Sequence, residues 1–322
     1  MSTEEKEVAT KKNEVATKMQ SNSERFMLAV EKEYNSEVGK VELTGHQRRL
    51  IQNYFVKLDR TLKDAEVKRQ RSSNGDPLAI EWGSINMPKL AQEVIAFSSV
   101  GLDPLQPNHI NLMPFKNNAN NNYDIVAIIG YRGLEIKAKK YGIDDLKDVR
   151  VELKFATDNF ELIKKDKNND VEGYVFDVTN PFDRGELQGG FYSLIFGDET
   201  KNRCVVMTLA DIEKRKPKYA SAEFWGGEKG KYEGGKKVGT EKIEGWYHEM
   251  CWKTICRAAY NSITIDSEKI DAHLQTILGI EDLGSPAQNV DEQVTHEIQE
   301  QANKTVIDVE IEGGEVVPTK GF

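Results

Sequence analysis

Three segments of the sequence place Lys and Arg beside apolar or aromatic residues, a combination suited to gripping a chain of phosphates. In HEMCWKTICRAAYN, residues 248–261, Lys253 and Arg257 are four residues apart and would share one helical stripe with Glu249. The second and third segments are YRGLEIKAKKYG at 131–142 and EKRKPKY at 213–219. Their cations are Arg132, Lys137, Lys139 and Lys140, and then Lys214, Arg215, Lys216 and Lys218. Each patch alone is typical of a solvated surface, but together they would line a groove for a nucleic-acid backbone.

Other chemistries are weakly supported. The stretch GKYEGGKK at 230–237 fits the phosphate-loop spacing GxxxxGK, but Lys237 stands where a Ser or Thr would hold magnesium. It also does not follow a hydrophobic strand directly, so a flexible basic loop is favoured. His248, Cys251 and Cys256 lie close together without the second ligand pair of a structural zinc site, so we expect the thiols to pack in the core. The sequence therefore predicts no catalytic residue, metal or cofactor.

The net charge of −9 comes mostly from the end of the chain. Residues 281–322 hold ten acidic and two basic residues, whereas residues 40–280 hold 36 basic and 35 acidic ones. The acidic total therefore does not exclude a nucleic-acid partner for the middle of the chain. No run reaches the roughly 18 consecutive apolar residues of a membrane helix, and the amino terminus lacks the apolar centre of a signal peptide. Three cysteines without a paired motif suit a reducing cytosol, so we expect a cytoplasmic protein with free thiols.

Hydrophobic spacing and breakers divide the chain into three parts. These are a mobile amino-terminal arm at 1–39, a folded domain at 40–280 and an acidic, disordered tail at 281–322. Within the domain, helices are predicted from Thr44, as the N-cap, to about Arg71, from about Pro88 to Val100, at 132–141, from 208 to near 217, at 245–261 and at 266–278. Strands are predicted at 109–115, 123–130, 149–156, 173–178, 189–196 and 203–207, with a hairpin loop at 117–122 and a mobile loop at 226–240.

Four separate blocks between residues 45 and 270 follow one another in a recognisable order. They are SSVGLDPLQPNHINLMPF, IIGYRGLEIKAKKYG, VMTLADIEKRKPK and WYHEMCWKTICRAAYNSITID. In order and approximate spacing they resemble the blocks of the RecT and Red-beta family of phage single-strand annealing proteins. The elements GYRGL and EMxxKTxxR carry most of the resemblance.

The resemblance implies a protein that binds single-stranded DNA without sequence preference and anneals it to a complementary strand without ATP. It implies an α+β fold with a small central antiparallel β-sheet flanked by helices, distantly similar to eukaryotic strand-annealing rings. Implied partners are single-stranded DNA, the annealed duplex, further copies in a ring or helical filament, a 5′–3′ exonuclease and a host single-stranded DNA-binding protein, all in the bacterial cytoplasm and without a membrane. Arg132, Lys253 and Arg257 lie at positions shared with the family's blocks, whereas the remaining cations rest on the charge argument alone.

These observations lead to a specific hypothesis for the helix at 245–261. We expect it to pack Met250, Ile255 and Ala258 against the sheet and to point Lys253 and Arg257 at DNA phosphates. Two alternatives stay open, a nucleotide- or metal-dependent DNA-processing enzyme and an interaction protein that recruits partners through its acidic tail. A structural role for the stripe, with Lys253 paired to Glu249, is the competing interpretation of the helix.

Overall fold

The computed structural model describes residues 20–38, 43–71, 77–216, 220–233 and 236–282. The helices in these ranges are α1 (Asn22–Val38), α2 (Gly45–Arg71), α3 (Met87–Val100), α4 (Tyr131–Tyr141), α5 (Leu209–Glu213), α6 (Ala222–Trp225), α7 (Tyr247–Asn261) and α8 (Ala272–Asp282). The strands are β1 (Ile110–Asn117), β2 (Asn122–Ile129), β3 (Leu146–Phe155), β4 (Asn159–Ile163), β5 (Gly173–Asp177), β6 (Leu187–Phe196), β7 (Arg203–Thr208), β8 (Gly227–Glu233) and β9 (Lys236–Ile243).

A three-stranded antiparallel sheet of order β3–β6–β7 lies at the centre, and three two-stranded hairpins accompany it, β1–β2, β4–β5 and β8–β9. The helix α7 packs on one face of this sheet against β3 and β6. On the opposite face, Phe160, Tyr174 and Phe176 of the β4–β5 hairpin surround Phe191 of β6 with ring centroids 4.6, 4.6 and 5.2 Å away. The predicted α+β fold with a small antiparallel sheet flanked by helices is confirmed.

The buried apolar side chains form two clusters, which we call the first core and the second core. The first core is built by α1, α2, α3, α8, the β1–β2 hairpin and one side of α4. The second core lies between α7 and the three-stranded sheet and includes side chains of α5 and α6. The helix α4 joins them, because its Leu134 and Tyr141 belong to the first core and its Ala138 to the second.

Local signals explain the ends of several helices. Thr44 caps α2, since its Oγ1 accepts from the Gln47 backbone N–H at 3.2 Å while Gln47 Oε1 accepts from the Thr44 N–H at 3.0 Å. Gly101 ends α3 in the left-handed region, with φ of 96°. Thr208 and Asp211 form the predicted capping box of α5. The predicted caps are therefore confirmed at these three positions.

The predicted mobile arm is wrong for residues 22–38. They form α1, whose Phe26 and Val30 are fully buried and whose Tyr34 is nearly so, all within the first core. These side chains recur every four residues and so share one helical face, a pattern that the surrounding charged residues obscure in the sequence. Residues 1–19 and the tail beyond 282 lie outside the described residues.

Three further elements differ from the sequence prediction. The predicted mobile loop at 226–240 largely forms the β8–β9 hairpin. The strand β4 was not predicted at all. The last helix begins at Ala272 rather than at 266, because Ser267–Lys269 forms a 3-10 turn after the Asp266 cap, and Gly279 lies inside the helix rather than after it.

Side chains occupy backbone groups on the outer strand β3. The Val151 carbonyl accepts from Trp252 Nε1 at 3.2 Å, and the Leu153 carbonyl accepts from Arg184 Nη2 at 2.7 Å. An outer strand otherwise exposes unpaired N–H and C=O groups that can pair with another chain. These contacts occupy two carbonyl groups near the middle and end of β3.

The other outer strand, β7, is capped in a similar way. The Cys204 N–H donates to Glu172 Oε1 at 2.8 Å, and the Cys204 carbonyl accepts from Lys164 Nζ at 3.2 Å. Lys164 and Glu172 are themselves an ion pair, with Nζ and Oε1 2.5 Å apart. One charged pair therefore satisfies both outward groups of a strand residue.

Glu93 of α3 gives the first core a pH dependence. Burial raises the pKa of this carboxyl group to about 7, against an opposing effect of Lys89 and a supporting one of Asp124. The pKa of Glu93 is higher in the folded state than its unfolded value of 4.5. The contribution of Glu93 to the free energy of unfolding is therefore fully present below pH 4.5 and is lost as pH rises through about 7. We expect Glu93→Gln to stabilise the protein by about 3 kcal/mol at about pH 8 and to leave it unchanged in acid, measured by urea unfolding.

The exposed Glu161→Gln serves as the control for this experiment. Equal pH profiles for Glu93→Gln, Glu161→Gln and the wild type would contradict the assignment of the pH dependence to Glu93.

Candidate nucleic-acid interface at the junction of the two cores

The amino terminus of α4 lies directly against the start of β1. The backbone N–H groups of Arg132 and Gly133 both donate to the Asn108 carbonyl, at 3.1 and 3.2 Å. Asn108 itself adopts a left-handed conformation with φ of 60°, which turns its carbonyl towards the helix. A Cβ on Gly133 would lie 2.1 Å from the His109 carbonyl oxygen, so the approach requires glycine. This contact fixes the position of the first turn of α4, and so the position from which the Arg132 side chain extends into solvent.

The helix α7 ties the β1–β2 hairpin to the three-stranded sheet. Arg257 Nη1 donates to the Ile129 carbonyl at the end of β2 at 3.1 Å. The Trp252 ring meets the Tyr131 ring edge to face with centroids 5.4 Å apart, while its Nε1 is bonded to β3. The structure therefore brings Arg132, at the first turn of α4, and Arg257, on α7, to the same junction between the two cores.

The polar stripe of α7 does not face outward as predicted. Lys253 is only 5% exposed, and its Nζ lies 2.9 Å from Glu249 Oε1. Met250 and Ile255 are buried in the second core, as predicted, and Ala258 packs against it. Lys253 therefore does not project from the surface, because both sides of α7 are covered, one by the sheet and the other by α4. A role of Lys253 and Arg257 in DNA binding stays a prediction.

Arg132 is the exposed cation of the junction. In the part of the chain that the structure describes, no hydrogen bond or ion pair engages its guanidinium group. It lies near His109, whose pKa is lowered mainly by burial, with Arg132 adding to the effect and Asp103 opposing it. Burial thus favours the neutral imidazole, and within the described residues no acid forms an ion pair with Arg132.

Buried polar atoms without a hydrogen-bond partner gather at the same junction. Within the described ranges they include Asn108 Oδ1, His109 Nδ1 and Asn111 Nδ2. Buried polar groups are normally satisfied, so such a cluster is typical of a functional site. These residues lie in the segment PNHIN, within the block SSVGLDPLQPNHINLMPF. The sequence prediction of cationic patches does not include them, because none of them is a cation.

The remaining cations of α4 have partners within the chain. Lys137 Nζ lies 2.8 Å from Glu281 Oε1 on α8, and Lys139 Nζ lies 2.6 Å from Glu135 Oε1. Lys140 donates to the Ser99 carbonyl at 3.0 Å. Leu134, Ala138 and Tyr141 form the buried stripe of this helix, as predicted. The ion pair of Lys139 is exposed and therefore weak, so it does not prevent a phosphate from competing, whereas Lys137 is largely buried.

The third cationic patch lies apart from the junction, beside the first turn of α7. Lys214 and Arg215 are exposed after α5, and Lys216 Nζ lies 5.4 Å from the centroid of the Trp225 ring. Lys218 lies outside the described residues. From Tyr247 at the start of α7 to Arg257 the helix rises about 15 Å, so the two groups of cations are separated along α7 rather than merged.

The other candidate chemistries have no matching geometry. Gly230 lies within β8 and Lys236 begins β9, so GKYEGGKK belongs to an antiparallel hairpin rather than to the strand, loop and helix of a phosphate loop. Cys204, Cys251 and Cys256 are free and buried, as predicted. Among the described residues, no three His, Cys, Asp or Glu side chains are grouped to hold a metal ion. No described helix has the length and apolar character needed to cross a membrane.

The fold and the junction define an α+β protein whose candidate site is cationic, rich in amide side chains and flanked by aromatic rings. Residues 85–275, more than half of the chain, match the model of the RecT family, and the chain belongs to that family. No curated protein and no solved structure matches the chain. Membership confirms the resemblance and implies single-stranded DNA binding, strand annealing in phage recombination and oligomerisation. Proteins of this family are annealing proteins rather than catalytic enzymes.

Proposed function

We propose that this protein binds single-stranded DNA by its phosphates along the junction of the two cores and anneals it to a complementary strand without ATP. The observation that carries the proposal is the position of Arg132, an exposed cation that has no ion pair within the described residues and whose helix is held in place by the Asn108 carbonyl. In family members, single-strand annealing is the shared activity. The family therefore supplies the reaction, and the junction supplies a place for the DNA backbone.

Backbone contacts suit annealing for a physical reason. A protein that held the Watson–Crick edges would block pairing, whereas one that holds phosphates leaves those edges free and ignores sequence. Cations also reduce the repulsion between two strands. Neighbouring copies in a ring or helical filament raise the effective concentration of pairing bases along the strand. No covalent step and no nucleotide cofactor is needed.

The cations have different roles in this proposal. Arg132 contacts phosphate directly, Arg257 holds the β1–β2 hairpin against α7, and Lys253, buried and paired with Glu249, fixes the polar side of that helix. Lys137, Lys139 and Lys140 border the junction on α4. A second, separate contact for the strand beside the first turn of α7 is proposed for Lys214, Arg215, Lys216 and Lys218. A 5′–3′ exonuclease that exposes the strand and a host single-stranded DNA-binding protein are the proposed partners in the bacterial cytoplasm.

A salt titration of Arg132→Ala tests this role. Loss of one phosphate contact is expected to weaken binding to a single-stranded oligonucleotide and to lower the slope of log affinity against log salt by about 0.7. The matched control is Arg60→Ala on α2, an exposed arginine 3.9 Å from Asp64 and far from the junction in sequence. Equal slopes for the two variants would contradict the proposal.

An annealing assay with and without ATP separates the proposal from an enzymatic function. Annealing of two complementary oligonucleotides is expected to proceed equally with and without ATP, with no nucleotide hydrolysed. Hydrolysis of ATP on addition of DNA would instead favour a nucleotide-dependent enzyme.

A further inference from the structure

The last helix of the structure ends against a cation of α4. Glu281, in the final turn of α8, accepts from Lys137 Nζ through both carboxylate oxygens, at 2.8 Å each. The Lys137 side chain is only 12% exposed, so water and salt screen this pair less than one on the open surface. The carboxyl-terminal end of a helix also carries a partial negative charge, which adds to the attraction for the ammonium group. A carboxylate of the chain itself therefore already occupies one cation of the candidate interface.

The other cations of α4 are open to a further acidic group. Arg132 and Lys140 are exposed and form no ion pair within the described residues, although Lys140 donates to the Ser99 carbonyl at 3.0 Å. Glu135 is the single acid of α4, and it lies 2.6 Å from Lys139. Four cations thus stand against one acid along this helix. We call Arg132, Lys137, Lys139 and Lys140 the cationic strip.

One further acid, Asp103, lies near the Arg132 end of the strip. It acts on His109, the neighbour of Arg132. Its carboxylate accepts from Asn53 Nδ2 at 3.2 Å and from the Leu105 N–H at 3.0 Å. Asp103 is therefore engaged by other donors, and the strip keeps a positive charge.

The chain that follows α8 is acidic and begins beside the strip. Residues 283–322, which lie outside the described residues, hold eight acidic and two basic residues, a net charge of −6. Arg132 precedes Lys137 by five residues, which is about 7.5 Å of helix. Asp291, the first acid of the segment, is ten residues after Glu281, and ten residues span at most about 33 Å. The segment is therefore long enough to reach every cation of the strip.

We propose that residues 283–322 bind the cationic strip of the same chain and compete there with single-stranded DNA. This rests on the proposed function, in which phosphates contact Arg132. A tethered segment competes at an effective concentration of about millimolar, so weak contacts between carboxylates and cations are sufficient. A DNA strand has a higher charge density and gains affinity from the release of its counterions, so it displaces the segment. The free protein is thereby kept from weak, unproductive contacts with nucleic acid.

A full-length variant tests the competition. In the tail-neutral variant, the eight Asp and Glu residues of 283–322 become Asn and Gln. It is expected to bind a single-stranded oligonucleotide about tenfold more tightly than the wild type at low salt, measured by fluorescence anisotropy. The gain is expected to shrink as salt rises, because the competing contact is electrostatic. Equal affinities of the tail-neutral variant and the wild type overturn the inference.

The control for the tail-neutral variant keeps the charge of the segment. Its six Asn and Gln residues become Ser, while every acid stays in place. This control is expected to bind DNA like the wild type. A gain equal to that of the tail-neutral variant would mean that the acids do not compete, and would overturn the inference.

Combined substitutions test where the segment binds. Arg132→Ala weakens the contact of the segment as well as that of DNA, so the gain from the tail-neutral changes is expected to be smaller in Arg132→Ala than in the wild type. Arg60→Ala on α2 is expected to keep the full gain. A full gain in Arg132→Ala, with the gain lost when Lys214 and Arg215 are both changed to Ala, would place the segment on the third cationic patch and overturn the inference.

A peptide of residues 283–322 tests the contact without DNA. A labelled peptide is expected to bind the tail-neutral variant, and to bind more weakly when Arg132→Ala and Lys140→Ala are added. The same peptide with its acids changed to amides is the control and is not expected to bind. Absence of binding by the acidic peptide at about millimolar concentration overturns the inference.

The outcomes also distinguish this inference from the proposed function. If the wild type and the tail-neutral variant bind and anneal DNA equally well, the competition is wrong and the proposed function stands. If neither protein binds single-stranded DNA, the proposed function fails, and binding of the peptide still decides whether the segment contacts the strip.

Discussion

Gly133→Ala is expected to destabilise the protein by about 3 kcal/mol or more and to remove most of its affinity for single-stranded DNA. The added methyl group would lie 2.1 Å from the His109 carbonyl oxygen and 2.6 Å from Ile129 Cγ2. One of these obstacles is backbone, so α4 has to move away from β1. That movement breaks the bonds from the Arg132 and Gly133 N–H groups to Asn108 and displaces the Arg132 side chain.

Chemical denaturation and oligonucleotide binding measure the two effects of Gly133→Ala. Gly173→Ala is the matched control, since a Cβ at Gly173 meets no atom within 4 Å. Ala at 173 is expected to leave both stability and binding unchanged. A Gly133→Ala protein with wild-type stability and affinity would mean that the junction does not depend on the close approach of α4 and β1.

Phe26→Ala is expected to cost about 3–5 kcal/mol of stability, which is the usual loss when a buried phenylalanine is truncated. Phe26 is fully buried and contacts the rings of Phe55 on α2 and Trp82, with centroids 5.8 and 5.7 Å away. The prediction concerns a helix that the sequence analysis assigned to a mobile arm. It therefore tests whether α1 belongs to the folded domain.

Leu28→Ala in the same helix is the control for Phe26→Ala, because Leu28 is half exposed. Urea unfolding is expected to separate the two variants clearly. If both variants lower the free energy of unfolding by the same small amount, residues 22–38 contribute little to folding.

The parts of the fold that the sequence predicts are those set by local chemistry. Thr44 and Thr208 predict helix starts because each forms a capping box with the side chain three residues later. A capping box depends on local residues only. Gly101 announces a helix end because only glycine adopts its backbone angles without strain. Strands of the central sheet were found by their apolar runs. The strand β4 was missed, since its side chains are exposed or half-buried and no such run is present.

The candidate site depends on packing between distant segments, which local patterns do not specify. The helical spacing of Lys253 predicts an exposed residue. It is buried because α4 covers the side of α7 that does not face the sheet. Arg132 was found because a cation is conspicuous in sequence. Asn108 and Asn111 were not, because an amide becomes informative only when its burial and its missing partner are known.

The side-chain contacts on the outer strands of the central sheet affect how reversibly copies of the protein associate. Proteins crowded along one DNA strand meet at high local concentration, where exposed strand edges would fuse neighbouring sheets and make association irreversible. Trp252 and Arg184 bond to two carbonyl groups of one edge of the central sheet, and Lys164 and Glu172 bond to one residue of the other, so strand pairing between neighbouring copies is disfavoured at these positions. Contacts between side chains dissociate more readily than paired strands, which would allow the protein to leave the DNA once the two DNA strands have paired.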